Sequence, residues 1–221
     1  MTHQQQGDTM SSSEPEFNDA REYSSLEEVM NTLLTAKGKS FRELDQTGRA
    51  LTGGNKGSLG QIIEESVLKY AINSDAAPDI HIGDTSYELK VTPLKHIKKG
   101  KQTSAKERLV IDIINYLTLA DETDFESSKM WDKAKNIILV YYYDDRTDKK
   151  KELRIDCKVL ASYLMKYEAD DLATIKNDWH VIRDKVASGH ADSLSESDTN
   201  YLAACTKGAN SKQLREAPAP A

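Results

Sequence analysis

The sequence predicts an α/β domain, with a mixed central β-sheet flanked by helices. Three observations carry this reading. Residues Ile137 to Tyr143 form an unbroken β-branched and aromatic run, the composition of a strand. Thr85 to Val91 alternates Tyr87, Leu89 and Val91 against Ser86, Glu88 and Lys90, the period-two pattern of a second strand. Around these two segments lie stretches whose apolar residues recur at helical spacing, and helices interleaved with strands pack as layers on a sheet. No internal repeat is visible.

The elements follow in order. Residues 1–22 are polar and acidic, with the run Ser11-Ser12-Ser13, and are expected to be a disordered tail. Order is expected from Ser25, where Ser25 and Glu28 have capping-box spacing and Leu26, Val29, Met30, Leu33 and Leu34 make the apolar face of a helix ending near Gly38. Leu59, Ile62, Ile63, Val67 and Tyr70 define a second helix, with Gly57, Gly60 and Glu64 on a different stripe. Pro78-Asp79 precedes a tight turn at Gly83-Asp84, so a hairpin would fold the Asp79 strand back beside Thr85 to Val91. Lys98-Lys99-Gly100-Lys101 reads as an exposed loop tip. Residues 108–119 fit either a strand, through Leu109, Ile111 and Ile113, or a buried helix.

After the strand at Ile137 to Tyr143 comes a polar turn from Asp144 to Lys151, and Leu153-Arg154-Ile155 is expected to begin another strand. Val159 to Tyr167 and Leu172 to Ala187 carry helical patterns, the latter stopping at Gly189. Tyr141-Tyr142-Tyr143 would offer base-stacking rings, but within a strand it reads as half core and half surface.

The chemistry centres on Asp79, Glu88 and Lys90. Glu88 and Lys90 share a strand face, and the hairpin would bring Asp79 beside them, so that two carboxylates can share one cation. Hard oxygen ligands of this kind suit Mg²⁺, commonly held by one or two carboxylates. Two acids and a lysine at this spacing are what metal-dependent phosphodiester hydrolysis needs; the same residues would also serve as solvated charges on a strand edge. Glu64 either reaches the same pocket past the two glycines or is an ordinary surface acid. Downstream, residues 89–108 hold Lys90, Lys95, Lys98, Lys99, Lys101, Lys106 and Arg108 against Glu107 alone, a charge pattern suited to a nucleic-acid backbone.

Composition narrows the class. A chain of 221 residues, 38% hydrophobic and 30% charged, can build one substantial core, and one domain over 23–216 is expected, with an Ala/Pro tail at 217–221. The net charge of −6 is concentrated in residues 1–30, which hold Asp8, Glu14, Glu16, Asp19, Glu22, Glu27 and Glu28 against Arg21, leaving 29 acids and 29 bases in 31–221. The rest is neutral overall and locally basic, and it is the local field that steers a polyanion. No apolar run approaches the roughly 18 residues of a membrane span, and the beginning lacks a signal peptide's apolar core, so no membrane partner and a cytoplasmic location are expected. Cys157 and Cys205 form no Cys-x-x-Cys pair, and the five histidines lack paired-ligand spacing, which argues against a zinc site or a disulfide framework.

Five segments, taken together, resemble the MutH family. They are Gly57-Ser58-Leu59-Gly60-Gln61-Ile62-Ile63-Glu64; Pro78-Asp79 with Glu88-Leu89-Lys90; Ser104-Ala105-Lys106-Glu107-Arg108-Leu109-Val110; Asp178-Trp179; and Tyr201-Leu202-Ala203-Ala204-Cys205-Thr206-Lys207-Gly208-Ala209-Asn210. That family includes a mismatch-repair nicking endonuclease and type II restriction endonucleases that cut at GATC, and the resemblance, over roughly 25–216, is nearer the restriction branch. It implies a restriction-endonuclease-like fold of the PD-(D/E)xK type and a Mg²⁺-dependent endonuclease acting on double-stranded DNA, leaving 5′-phosphate and 3′-hydroxyl ends.

Position by position, the resemblance implies that Asp79, Glu88 and Lys90 are the catalytic acids and lysine. Glu64 would be the additional acid, and Leu89 would lend its carbonyl to the metal site with Asp79, Glu88 and Glu64. Lys133 falls where the family has a further active-site lysine, with Lys135 as competitor. Lys207 matches a lysine of the DNA-recognition segment, for reading a base or clamping a phosphate. By charge rather than by resemblance, Lys98, Lys99, Lys101, Lys106 and Arg108 would contact the DNA backbone. The family continues beyond Asn210 into a further recognition segment, and its larger restriction members carry a second, similar domain. The chain is therefore expected to be a catalytic fragment that works with a missing C-terminal domain or by self-association on DNA.

Overall fold

The computed structural model describes residues 23–49, 57–70, 78–97, 102–146 and 153–204. Helix α1 (Leu26–Leu34) starts where the side-chain oxygen of Ser25 accepts from the Glu28 N–H, while the Glu28 carboxylate reaches back to the Ser24 N–H. It buries Val29 and Leu33, and Gly38, at φ +80°, lets the chain turn away. A short helix α2 (Phe41–Leu44) follows behind a complete capping box between Ser40 and Glu43.

The expected helix near Glu64 is present in two registers: α3 (Ser58–Ile62) runs directly into a π-helical turn over Ile63–Val67. Its expected apolar stripe is fully realised, since Leu59, Ile62, Ile63, Val67 and Tyr70 are all buried.

Strands β1 (Ile80–Ile82) and β2 (Thr85–Ile97) form the expected hairpin, joined by Gly83 at φ +54° and Asp84. Glycine at the first loop residue with positive φ is the two-residue turn whose twist matches its strands. Strand β2 runs further than the alternation suggested, and its far end pairs antiparallel with β3 (Gln102–Ala105), which brackets the lysine-rich tip. The tip itself, 98–101, lies outside the described residues, as do Cys205 and the segment from Thr206 to Asn210.

Between β3 and β4 the chain settles the ambiguity at 108–119 in neither expected way. Residues 108–115 have no regular structure. Only α4 (Tyr116–Asp121) is helical, begun by Asn115, whose side chain accepts from the N–H groups of Leu117 and Thr118. Helix α5 (Lys129–Ala134) leads into β4 (Ile137–Tyr143), which pairs parallel with β2 over Glu88 to Leu94. Ile138, Val140 and Tyr142 of β4 point into a core shared with α1, α2 and α3, and Tyr141 and Tyr143 are half-buried.

Two expectations fail beyond this point. Leu153-Arg154-Ile155 does not begin a strand but enters a 3₁₀ turn, Arg154–Asp156, closed by the Asp156 carboxylate accepting from the Leu153 N–H. A short acid bonding its own backbone displaces the strand ladder. Val159 to Tyr167 is not a helix: Val159–Leu164 is strand β5, antiparallel to β4 with a bulge at Tyr141/Tyr142. Its nearly continuous apolar run fits either element, and the open edge of β4 decides the outcome. The sheet order is β1-β2-β4-β5, with β3 on β2.

Helix α6 (Ala169–Ala187) begins three residues before the expected start and ends as expected at Gly189 (φ +78°). It builds a second core with α4 and α5 around Trp179, Phe125 and Leu119. Asp178, fully buried on the same helix, accepts the backbone N–H groups of Asn200, Tyr201 and Leu202 at 3.0, 2.6 and 3.0 Å. Replacing Asp178 with Ala removes the one acceptor shared by all three donors, at roughly 0.5–1.5 kcal/mol net for each bond lost. Asp178→Ala is therefore expected to lose on the order of 3 kcal/mol in a urea unfolding titration, with an unchanged m-value.

Candidate active site

The β1–β2 register places the site. Ile80 faces Tyr87 and His81 faces Ser86, so one step further Asp79 stands opposite Glu88 just past the end of the ladder. Directly opposed residues in such a pair have Cβ atoms roughly 4.5–5.5 Å apart on one face of the sheet. Asp79 is fixed there by its own carboxylate, whose Oδ2 accepts the Leu89 N–H at 2.8 Å. That bond also orients the backbone, because the N–H and C=O of one strand residue point the same way. The Glu88 N–H donates to Asn136 O on the β4 side, so the Leu89 carbonyl faces the opposite side, toward Asp79.

Glu88 is 5% exposed. One oxygen, Oε1, takes Lys90 Nζ at 2.5 Å, and the other, Oε2, is buried with no hydrogen-bond partner. Burial first, and then the neighbouring Asp79 charge, push the Glu88 carboxyl above its ordinary value, against the opposing pull of Lys90 and Lys133. Lys133 reaches this neighbourhood from α5, which packs against β2, and its Nζ also pairs with Asp112 Oδ1 at 3.2 Å. Lys135, its competitor, instead pairs with Asp132 on the exposed side of the same helix at 2.6 Å. Asp79, Glu88, Lys90 and Lys133 are thus gathered at one sheet edge.

Glu64 is half-buried on the π turn with its carboxylate folded toward Gly60, where an added Cβ would sit 3.8 Å from Oε1. Its neighbour Glu65 is the buried acid of that turn, held by Arg49 at 2.9 and 2.7 Å and by Thr47. The Arg49 guanidinium keeps the Glu65 carboxyl below its ordinary value. Among the described residues no three carboxylate, imidazole or thiol groups converge as a metal-ligating cluster. The acids that meet are Asp79 and Glu88, and one or two carboxylates are what Mg²⁺ commonly takes from a protein. With a buried, unpartnered Glu88 oxygen, an opposed Asp79 and the Leu89 carbonyl turned to the same edge, the donor set fits a hard divalent cation.

Two of the basic residues assigned to the DNA backbone have partners within the fold. Lys106 Nζ lies 2.9 Å from Asp144 Oδ1 and donates to the Asp144 carbonyl at 2.8 Å, and Arg146 grips the same fully buried carboxylate with Nε and Nη2 at 2.8 and 2.9 Å. Burial would raise the Asp144 carboxyl, but Arg146 and Lys106 outweigh it and hold it well below the carboxylate range. Arg108 forms a bidentate pair with Glu196. Lys106 is thus part of a buried ion network, whereas Arg108 and Glu196 form their pair at the solvent-exposed surface. Lys98, Lys99, Lys101 and Lys207 lie outside the described residues. The sequence reading missed Asp144, Asp112 and the Arg49–Glu65 pair, since each is joined to its partner by a tertiary contact or an isolated ion pair that no local pattern marks.

Comparison with known proteins follows this geometry closely. The family model described as "DNA mismatch repair enzyme MutH" matches residues 68–178, half of the chain. The chain belongs to the MutH family. The matched stretch holds Asp79, Glu88, Lys90 and Lys133, with the β2–β4 pair that assembles them, and the fold is the restriction-endonuclease-like α/β domain expected for that family. Among relatives, the chain is 39% identical over 196 residues to the type II restriction enzyme Sau3AI of Staphylococcus aureus, covering 89% of this chain and 38% of that one. It is 26% identical over 200 residues to the DNA mismatch repair protein MutH of Shewanella woodyi (strain ATCC 51908 / MS32), covering 88% of this chain and 80% of that one. This MutH-family chain therefore spans well under half the length of the restriction enzyme it matches.

The raised Glu88 carboxyl yields a stability test. A native acid with a raised value binds its proton longer than the unfolded chain does, so its contribution to stability falls as pH rises through the ordinary glutamate range and above. Glu88→Gln removes that charge. In metal-free buffer the variant is expected to melt close to wild type at acid pH and above it near neutrality. The gap would be a few degrees, since 1 kcal/mol moves a domain of this size by roughly 2–4 °C. Equal midpoints across the range would show that the buried charge costs nothing.

Proposed function

We propose that this chain is the catalytic portion of a Mg²⁺-dependent restriction endonuclease that cleaves double-stranded DNA at GATC, leaving 5′-phosphate and 3′-hydroxyl ends. The observation that carries the reading is the meeting of Asp79, Glu88, Lys90 and Lys133 at one sheet edge, with the second Glu88 oxygen left unpartnered. Identity to the restriction enzyme supports the reaction class, and the likeness of Thr206-Lys207-Gly208-Ala209-Asn210 to the family's recognition segment supports the site read.

Asp79 and Glu88, with the Leu89 carbonyl and Glu64 in support, would hold the cation. When bound, Mg²⁺ supplies charge neutralisation at the scissile phosphate and activation of an attacking water. The protein's own groups do the positioning. Lys90, paired with Glu88, would orient the nucleophilic water and face the negative charge that develops on the phosphate. Its contact with Glu88 sets it as a hydrogen-bond donor at that edge. Lys133 would bring a second positive charge to the same edge from the crossover helix. Lys98, Lys99 and Lys101 would neutralise flanking phosphates, and a cytoplasmic location would put the chain with its substrate.

The cleavage pattern on GATC-containing plasmid with Mg²⁺ tests the reaction. Linear product at every site is expected of a restriction enzyme. Accumulation of open circles would favour the nicking endonuclease, a reading that the 80% coverage of the mismatch-repair relative makes concrete. Asp79→Ala should abolish cleavage and leave binding largely intact, because the acid repels phosphate as well as holding the cation. Cleavage by that variant at near the wild-type rate would sink the assignment of Asp79.

Lys207 is expected to discriminate the site. A good base contact is worth about 1–3 kcal/mol of discrimination, whereas a phosphate contact is lost equally for every sequence. In competition binding under Ca²⁺, Lys207→Ala should shrink the ratio between GATC duplexes and single-base variants. A parallel loss on all duplexes would make Lys207 a phosphate clamp.

A further inference from the structure

The irregular segment 108–115 places one acid where no motif marks it. Asp112 carries its carboxylate onto α5, where Oδ1 pairs with Lys133 Nζ and Oδ2 with Lys129 Nζ, each at 3.2 Å. The two lysines stand one helical turn apart on the same face. Lys133 and Asp112 are both largely buried, and Lys129 is half-exposed. Burial works to raise the Asp112 carboxyl, but the Ile113 N–H and the two lysines outweigh it and hold it below its ordinary value, so it stands as a charged partner.

We propose that Asp112 is a positioning residue that holds the Lys133 ammonium in place at the Glu88 edge of the site. The inference rests on the reading of that edge as the nuclease centre. A lysine ends in a point charge on a flexible stem, so its placement must come from its partners. Lys129 engages one oxygen of Asp112, which turns the other toward Lys133. Helix α5 is itself docked beside Glu88, because Asn136, just past its end, accepts the Glu88 N–H at 2.8 Å. The helix thus sets where the Lys133 stem begins, and Asp112 sets where the ammonium ends. The carboxylate adds negative charge near an edge meant to approach phosphate, a cost in binding that positioning would offset.

A double-mutant cycle with the whole chain on GATC-containing plasmid and Mg²⁺ tests this. Asp112→Asn keeps shape and removes charge; it is expected to lower kcat about tenfold with little change in KM, and Asp112→Glu to recover part of the loss. In a Lys133→Ala background, Asp112→Asn should lower kcat no further, since the group it positions is gone. The same loss in both backgrounds, or a loss confined to KM, would overturn the proposal. An impaired Lys133→Ala beside an unimpaired Asp112→Asn defeats the positioning role alone, whereas a fully active Lys133→Ala defeats the place of Lys133 in the centre and the proposal with it. A second readout needs no turnover. With lysines carrying ¹³C-methyl groups, the Lys133 signal should stand apart from those of exposed lysines and merge with them in Asp112→Asn. A signal unmoved by that substitution would overturn the proposal.

Discussion

Two carboxylates forced together at a sheet edge are the constraint on which the rest of this structure turns. Asp79 and Glu88 face one another because the two-residue turn at Gly83 and Asp84 fixes the register of β1 against β2. Their repulsion, with the burial of Glu88, opposes folding, and the surrounding groups answer it. Asp79 is tied to the Leu89 N–H, Glu88 to Lys90, and Lys133 adds charge from α5. A slip of one residue in β2 would send Glu88 and Lys90 to the other face and dismantle the site while leaving a sheet behind. The turn glycine is therefore as much part of the centre as the acids are.

Part of the positive charge of residues 89–108 is engaged within the fold. Lys106 joins Arg146 on the buried carboxylate of Asp144, which also donates its N–H to the Leu94 carbonyl, so this ion network locks the end of β4 to β2. Removing one partner from a buried pair is usually far more damaging than the pair's net worth, because the remaining charge is stranded. Arg108 likewise ties the irregular crossover to Glu196. Composition alone does not mark which cations of a basic stretch the fold itself engages.

What was legible from sequence was what is local. The cap at Ser25, the Gly83 turn, the β-branched run of β4 and the Gly189 stop each act within a few residues, and each stands where it was expected. Strand β5 was missed because Val159-Leu160-Ala161 and Tyr163-Leu164-Met165 make a short, nearly continuous apolar run that fits a helix or a strand, and only pairing with Ile138 to Tyr142 decides. Residues 108–115 were ambiguous for a related reason: Leu109, Ile111 and Ile113 alternate like a strand, yet the segment joins no ladder and Ile113 is exposed. Of the site, the acids and Lys90 were visible through strand alternation and turn chemistry. Lys133 came from family resemblance, and Asp112 from neither, since an ion pair across an irregular crossover leaves no periodic trace.

The order of assembly follows from where these charges come from. Lys90 belongs to the same strand as Glu88 and is available as soon as the hairpin forms. Lys133 is not: it arrives only when the long crossover closes and β4 pairs parallel with β2, the step at which Asn136 accepts the Glu88 N–H. Parallel pairing of distant segments costs loop-closure entropy that must be met before its contacts offset it. Until that closure the Glu88 carboxylate has one lysine and more water. Afterwards it has two positive neighbours and little solvent, with one oxygen unpartnered. The same event that buries the site thus completes its electrostatics, so an opened crossover would leave the acids solvated and lacking the second lysine.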